Sequence, residues 1–91
     1  MTDKGLLYRA IDMWAGVGPG RVARYRCFEV LPLGRYCVQS KDFYSIPLEP
    51  DLVRQLDAQF LELLCEMSPL ERDSTYETLQ QAIRAHDEAF G

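Results

Sequence analysis

The chain has 91 residues and a mass of 10.5 kDa, which is the size of one domain and excludes a two-domain enzyme. Its 47% hydrophobic and 26% charged residues are ordinary for a globular protein and exclude a disordered or fibrous chain. No segment approaches the roughly 20 apolar residues of a membrane helix, and residues 1–7 lack the apolar core of a signal peptide. We therefore expect one domain spanning residues 1–91, a cytoplasmic location and no membrane partner.

The net charge of −4 is unevenly distributed along the chain. Residues 1–46 contain seven basic and four acidic side chains, a net +3, whereas residues 47–91 contain three arginines and ten carboxylates, a net −7. Such asymmetry is typical of a basic binding face beside an acidic one, or of acidic helices with solvated outer faces. Both interpretations stay open at this point.

The N-terminal segment shows helical periodicity. Leu7, Ile11 and Trp14 recur at helical spacing within Lys4–Ala15, and Gly16 follows where a helix-ending glycine is common. The pattern predicts a short amphipathic helix. The sequence GVGPG at residues 16–20 then predicts a loop, because its glycines and proline disfavour both helix and strand.

A β-hairpin is predicted in the middle of the chain. Val22–Leu31 and Arg35–Ile46 are rich in aromatic and β-branched residues, which favour strands. Pro32, Leu33 and Gly34 between them are typical of a three-residue hairpin loop in which glycine takes the left-handed conformation. The predicted partners are Val30 with Tyr36, Phe28 with Val38, Arg26 with Ser40, and Arg24 with Asp42. This register places Cys27 and Cys37 on one face of the hairpin.

Two long helices are predicted after the hairpin. Asp51–Met67 carries apolar residues at a helical period. Ser68, Pro69 and Glu71 then form the pattern of a capping box, which predicts a last helix from Pro69 to about Phe90. Helices joined by so short a turn should pack antiparallel. The predicted fold is α+β in the order α-β-β-α-α, with the helical hairpin on one sheet face.

The residues that could carry catalysis or bind a metal are few and scattered. The soft-metal ligands are Cys27, Cys37, Cys65 and His86, and none forms the closely spaced pairs of a zinc site. Three cysteines without a dense pattern indicate free thiols. Cys65 and His86 as nucleophile and base lack an oxyanion loop and an orienting residue. We therefore expect no metal, no cofactor and no catalytic residue.

The leading functional hypothesis is a non-enzymatic module that binds another protein or itself, forming a homodimer. Two strands alone leave open edges, which a symmetric twin or a partner's strand could complete. We expect the partner surface to comprise the exposed hairpin residues Tyr25, Arg26, Arg35 and Lys41. Trp14 is either an anchor where the first helix meets the sheet or a partner or, as the commoner alternative, a core residue.

The alternative hypothesis is a nucleic-acid-binding accessory domain. Basic and aromatic residues interleave in the hairpin, and arginine on phosphate beside aromatic stacking on bases is how single strands are held. The residues that would carry it are Arg21, Arg24, Arg26 and Arg35. The sequence pI of about 4.8 counts against it.

Overall fold

The computed structural model describes residues 5–90, which form an antiparallel three-stranded sheet and, after it, the helices. The elements are β1 (Leu7–Gly18), β2 (Arg21–Leu31), β3 (Arg35–Ser45), α1 (Pro50–Glu66), the single-turn α2 (Pro69–Arg72) and α3 (Leu79–Phe90). The α+β class is confirmed, but the order α-β-β-α-α is wrong, because the strands come first. Within the described range, no helix is long and apolar enough to cross a membrane.

The predicted N-terminal helix is a strand. β1 runs antiparallel to β2 from Leu7 opposite Leu31 onward, and Lys4 of the predicted helix lies outside the described residues. Leu7 and Trp14, two of the three apolar residues that suggested a helix, are 69% and 57% exposed. The helical spacing of these residues therefore does not mark a buried surface. Pairing satisfies backbone groups along one whole edge of β2, which outweighs a weak helical period. The chain thus supplies the third strand that the two-strand prediction lacked.

The predicted loop at residues 16–20 is shorter than expected. β1 continues to Gly18, with a register shift between Gly16 and Gly18, and the turn is confined to Pro19 and Gly20. Gly20 has φ +67, a left-handed conformation that glycine adopts at low cost. The glycine-rich segment therefore forms a tight β-turn between paired strands.

The β2–β3 hairpin forms at the predicted loop, with half of its predicted register. The amide of Gly34, at φ +67, donates to the Val30 carbonyl at 2.8 Å and closes the three-residue loop. The pairs Arg24 with Asp42 and Arg26 with Ser40 are confirmed. A register shift then leaves Gln39 as a bulged residue, so the pairs nearer the loop are displaced by one. Those pairs are Phe28 with Cys37 and Val30 with Arg35.

The bulge exchanges the faces of the β3 residues nearest the loop. Cys37 lies opposite Phe28, and Val38 lies opposite Cys27, so the two cysteines belong to different sheet faces and the same-face prediction is wrong. Both thiols are free and buried, and burial raises the pKa of each to about 12. Neither thiol is placed for a redox pair with the other.

Each sheet face is covered by its own helix. We call the side of the sheet that carries the even-numbered residues of β2 the α1 face. On this side Phe28 of β2 stacks on Phe60 of α1, with 5.7 Å between the ring centres. The opposite surface is the α3 face, where Tyr25, Cys27 and Val38 pack with Ala82. The predicted helical hairpin on one face is therefore wrong. Because both sides of the sheet carry apolar residues, one helix on each side buries more of them than two on one side.

The predicted last helix is interrupted between α2 and α3. The capping box of Ser68 and Glu71 is present, as predicted, but α2 ends after one turn. Tyr76 instead forms a β-bridge with Tyr36, with both backbone hydrogen bonds between 2.8 and 2.9 Å. Polar residues at positions 73–75 bond readily to nearby backbone and disfavour helix continuation. This crossing segment carries the chain from the α1 face to the α3 face.

Candidate functional site

The α1 face carries a network of ion pairs centred on two arginines. Arg26 donates to Asp42 at 2.7 Å and to Asp57 at 2.6 Å, and Arg24 donates to Asp12 at 2.9 Å. Only 4% of the Arg26 side chain is exposed. Burial by itself would lower the pKa of Arg26, but the hydrogen bonds to Asp57 and Asp42 raise it overall. The network fixes β1, β2, β3 and α1 relative to one another.

Trp14 lies on this network and is held by it. The guanidinium carbon of Arg24 is 5.2 Å from the centre of the Trp14 ring, a cation–π arrangement. The ring also lies 5.9 Å from that of Tyr44, whose hydroxyl accepts from Arg24 at 3.3 Å. Hydrogen bonding to Asp12 raises the pKa of Arg24, so its charge is permanent. Trp14 is therefore 57% exposed yet fixed in orientation.

Exposed apolar residues at the β1–β2 turn and in the segment that follows β3 form, with Trp14, what we call the Trp14 surface. Its members are Trp14, Val22, Ile46, Leu48 and Leu52, which are 38% to 72% exposed. Val22 pairs with Tyr44, and the Ile46 amide donates to the Gly20 carbonyl at 3.0 Å, so the surface lies at the β1–β2 turn. It continues onto α1, of whose residues none is buried. Clusters of this kind are typical of protein-binding surfaces.

The two edges of the sheet differ. The β3 edge carries the Gln39 bulge and is bridged at Tyr36 by Tyr76. In the described part of the chain, the outer side of β1 has no strand beside it. Bulges and covering segments are the usual protections of an edge, so β1 is the less protected of the two edges. Its charged residues Arg9 and Asp12 are tied to Glu29 and Arg24 of β2.

The residues predicted for the partner surface are mostly not exposed. Tyr25 is 8% and Arg26 is 3% exposed, so the expectation that both lie on an open hairpin face is wrong. Lys41 donates to Asp87 at 3.0 Å, and Arg35 donates to the Thr75 carbonyl at 2.9 Å. α3 covers Tyr25 and Lys41, and the linker before α3 holds Arg35. Arg26 instead lies on the α1 face, where it contacts Asp57 and Phe60 of α1. Trp14 alone among these five residues lies on a broadly exposed surface.

The arginines of the nucleic-acid hypothesis are largely neutralised. Arg24 and Arg26 face Asp12, Asp42 and Asp57 within hydrogen-bonding distance. Such pairs leave little net positive potential for a phosphate backbone. Arg35 is held by the linker, and Arg21 is exposed at the β1–β2 turn. Asp57 was missed as a partner in the sequence because it lies on α1, remote from the arginines along the chain, and its contact depends on tertiary packing.

A second polar cluster lies in a cleft of about 240 Å³ between β3, the interhelical segment and α3. Asp73 and His86 line it, together with Val38, Tyr76 and Phe90. The Oδ2 atom of Asp73 and the Nδ1 atom of His86 are buried without a hydrogen-bond partner. Burial raises the pKa of Asp73 to about 6, an effect opposed by Arg72, and lowers the pKa of His86. The cleft therefore carries two weakly satisfied titratable groups.

The residues considered for catalysis are not brought together. Cys65 lines a groove near the start of β1, whereas His86 lines the cleft at α3 on the opposite face. In residues 5–90, no group of three or more His, Cys, Asp or Glu side chains is placed to hold a metal ion. Comparison with protein-family models, curated proteins and solved structures finds no match for the chain.

Proposed function

We propose that this protein is a non-enzymatic protein-interaction module that binds another polypeptide through the β1 edge and the adjoining Trp14 surface. The observation that carries the proposal is a tryptophan that is 57% exposed but held by Arg24 and Tyr44. An exposed aromatic fixed in advance loses little conformational entropy on binding and is the common anchor of protein interfaces.

The edge supports the same function through its backbone. Alternate residues of a strand direct their amide and carbonyl groups outward, so an added strand gains a ladder of hydrogen bonds. Trp14 lies on this strand, which also carries the partly exposed apolar residues Met13 and Val17, at 40% and 39%. A partner strand that pairs with the β1 backbone would therefore also contact the Trp14 side chain.

The test compares two variants in which the substituted side chains are equally exposed in the wild-type protein. Trp14 and Leu61 are both 57% exposed, but Leu61 lies on α1 rather than on the edge strand. Tagged wild-type, Trp14→Ser and Leu61→Ser proteins are used to capture polypeptides from native lysate, with quantitative mass spectrometry as the readout. We expect Trp14→Ser to lose the wild-type partners by about tenfold or more and Leu61→Ser to keep them. Equal recovery by all three folded proteins would refute the proposal.

The single tryptophan gives a direct second readout. Its emission should shift to shorter wavelength when a partner covers the exposed ring. An unchanged emission spectrum in the complex would show that the partner binds elsewhere.

A further inference from the structure

We propose that the partner of the β1 edge is a second copy of this chain, paired antiparallel about Ile11 so that Trp14 of each copy lies opposite Tyr8 of the other, at the mouth of the groove that Tyr8 lines. This inference rests on the proposed function and names its partner.

The choice of an antiparallel twin follows from the edges. With the β3 edge bulged at Gln39 and bridged at Tyr36, β1 is the less protected of the two edges in the described part of the sheet. Pairing of that edge with itself requires a two-fold axis and closes at two copies, because each copy uses the same edge. The result is a continuous six-stranded sheet.

The register follows from the side chains of β1. Opposed residues in an antiparallel pair must lie on the same face, so the two-fold axis passes through a residue rather than between two. An axis at Arg9 or at Asp12 would oppose like charges. An axis at Ile11 opposes no charged residue to another, because Arg9 meets Met13 and Asp12 meets Ala10. An axis at Ala10 or at Met13 also avoids charged pairs, but only the axis at Ile11 sets Trp14 opposite Tyr8 of the other copy.

The same register places an aromatic side chain opposite a groove. Trp14 and Tyr8 belong to the α1 face, as their partners Arg24 and Val30 on β2 show. Tyr8 lines a groove of about 500 Å³ between the start of β1 and the end of α1. The apolar part of its wall comprises Leu6, Leu7, Leu64, Met67 and Pro69. Pairing about Ile11 sets Trp14 of one copy opposite Tyr8 of the other, at the mouth of this groove.

The charges of the strand agree with a twin as the occupant. Arg9 donates to Glu29 at 2.8 Å, and Asp12 accepts from Arg24 at 2.9 Å, so each charge is compensated within its own copy. Neither side chain needs to give up its partner when the edges meet. A net charge of −4 for each copy adds only a long-range repulsion that salt screens.

The first experiment measures the oligomeric state of the purified full chain by light scattering coupled to size exclusion. We expect a mass of about 21 kDa at about 100 µM, twice the chain mass of 10.5 kDa. Met13→Lys places a positive charge opposite Arg9 of the second copy, twice by symmetry, and should weaken the dimer at least tenfold. Met13→Glu places the opposite charge there and should weaken it less. Circular dichroism verifies that both variants fold.

The second experiment fixes the register. Ile11→Cys in a Cys65→Ser background places the two new thiols opposite each other on the axis, and mild oxidation should give a covalent dimer. The same oxidation of the Cys65→Ser protein should give none, since its two other cysteines are buried.

Several outcomes would overturn this inference. A monomer at about 100 µM, a dimer equally sensitive to both Met13 substitutions, or absence of the Ile11→Cys cross-link would each do so. If the chain is monomeric but still captures a different polypeptide in a Trp14-dependent manner, the proposed function stands and only the twin is wrong. If Trp14→Ser changes neither self-association nor capture, both proposals fail.

Discussion

The Asp73 carboxylate should limit the stability of this protein at neutral pH. Its side chain is 19% exposed, its Oδ2 atom has no hydrogen-bond partner, and the Nε atom of Arg72 lies 4.0 Å from Oδ1. A charge so placed is poorly compensated, and burial raises its pKa from 3.8 to about 6. We expect Asp73→Asn, which keeps the shape and removes the charge, to stabilise the folded state above pH 7.

The magnitude follows from linkage between protonation and folding. A pKa that rises from 3.8 to about 6 on folding corresponds to about 3 kcal/mol at 1.36 kcal/mol for each pKa unit. Because the folded state holds the proton more tightly, the stabilisation is complete below pH 3.8 and is lost as the pH rises through about 6. Asp73→Asn and wild type should therefore be nearly equal at low pH and diverge by at most about 3 kcal/mol above pH 7.

Urea unfolding followed by circular dichroism at half-unit steps from pH 4 to pH 8 measures this difference. Glu62→Gln, which removes an exposed carboxylate on α1, is the matched control and should give a pH-independent difference near zero. If Asp73→Asn destabilised the protein at pH 8, or if its effect were the same at every pH, the carboxylate would have to be well compensated. The reasoning from burial would then be refuted.

Three further predictions concern the sheet and its thiols. Arg26→Ala should lower the free energy of unfolding by about 3 to 5 kcal/mol in urea denaturation, because it leaves the Asp42 carboxylate, 13% exposed, without its buried partner. A loss below about 1 kcal/mol would contradict the role of this ion pair. Gly20→Ala should lower the free energy of unfolding by about 1 to 2 kcal/mol, since the residue has φ +67 and a Cβ would lie 2.9 Å from an Ile46 carbon. Gly16→Ala, where the Cβ meets open space, should destabilise the protein much less. Equal effects of the two substitutions on Tm would contradict this prediction. A thiol reagent at pH 8 should modify Cys65 quickly and the two buried cysteines of the sheet only after unfolding; rapid modification of all three would show that the sheet opens.

Much of the chain was predictable because its local signals agree with its tertiary environment. The loop at Pro32–Gly34 requires one left-handed residue, and glycine supplies it at the position where the strands reverse. The capping box of Ser68 and Glu71 spans four consecutive residues and depends on no distant contact. The long amphipathic pattern of α1 likewise predicted the helix to within about one residue at each end.

The errors share one physical cause, which is that distant parts of the chain decided between local alternatives. Leu7, Ile11 and Trp14 fit a helix, but the open edge of β2 offered backbone pairing over the whole segment. No local sequence pattern marks the bulge at Gln39. The Gln39 side-chain Nε2 donates to the Phe60 carbonyl at 3.2 Å, a contact that exists only after α1 has packed on the sheet. That single extra residue changed the face of each β3 residue nearer the loop.

The candidate site, like the fold, was predictable from the sequence only in part. The sequence by itself predicted a small α+β domain with a tight β2–β3 loop and a capped helical break, but it left Trp14 as either a core residue or an anchor. Only the tertiary structure decided that Tyr25 and Arg26 are buried, and that carboxylates from β1, β3 and α1 neutralise the arginines of β2. Local patterns encode turns, caps and periodicity because those depend on neighbouring residues. Burial and charge compensation depend on which elements meet, and that is settled when the two faces of the sheet each receive a helix.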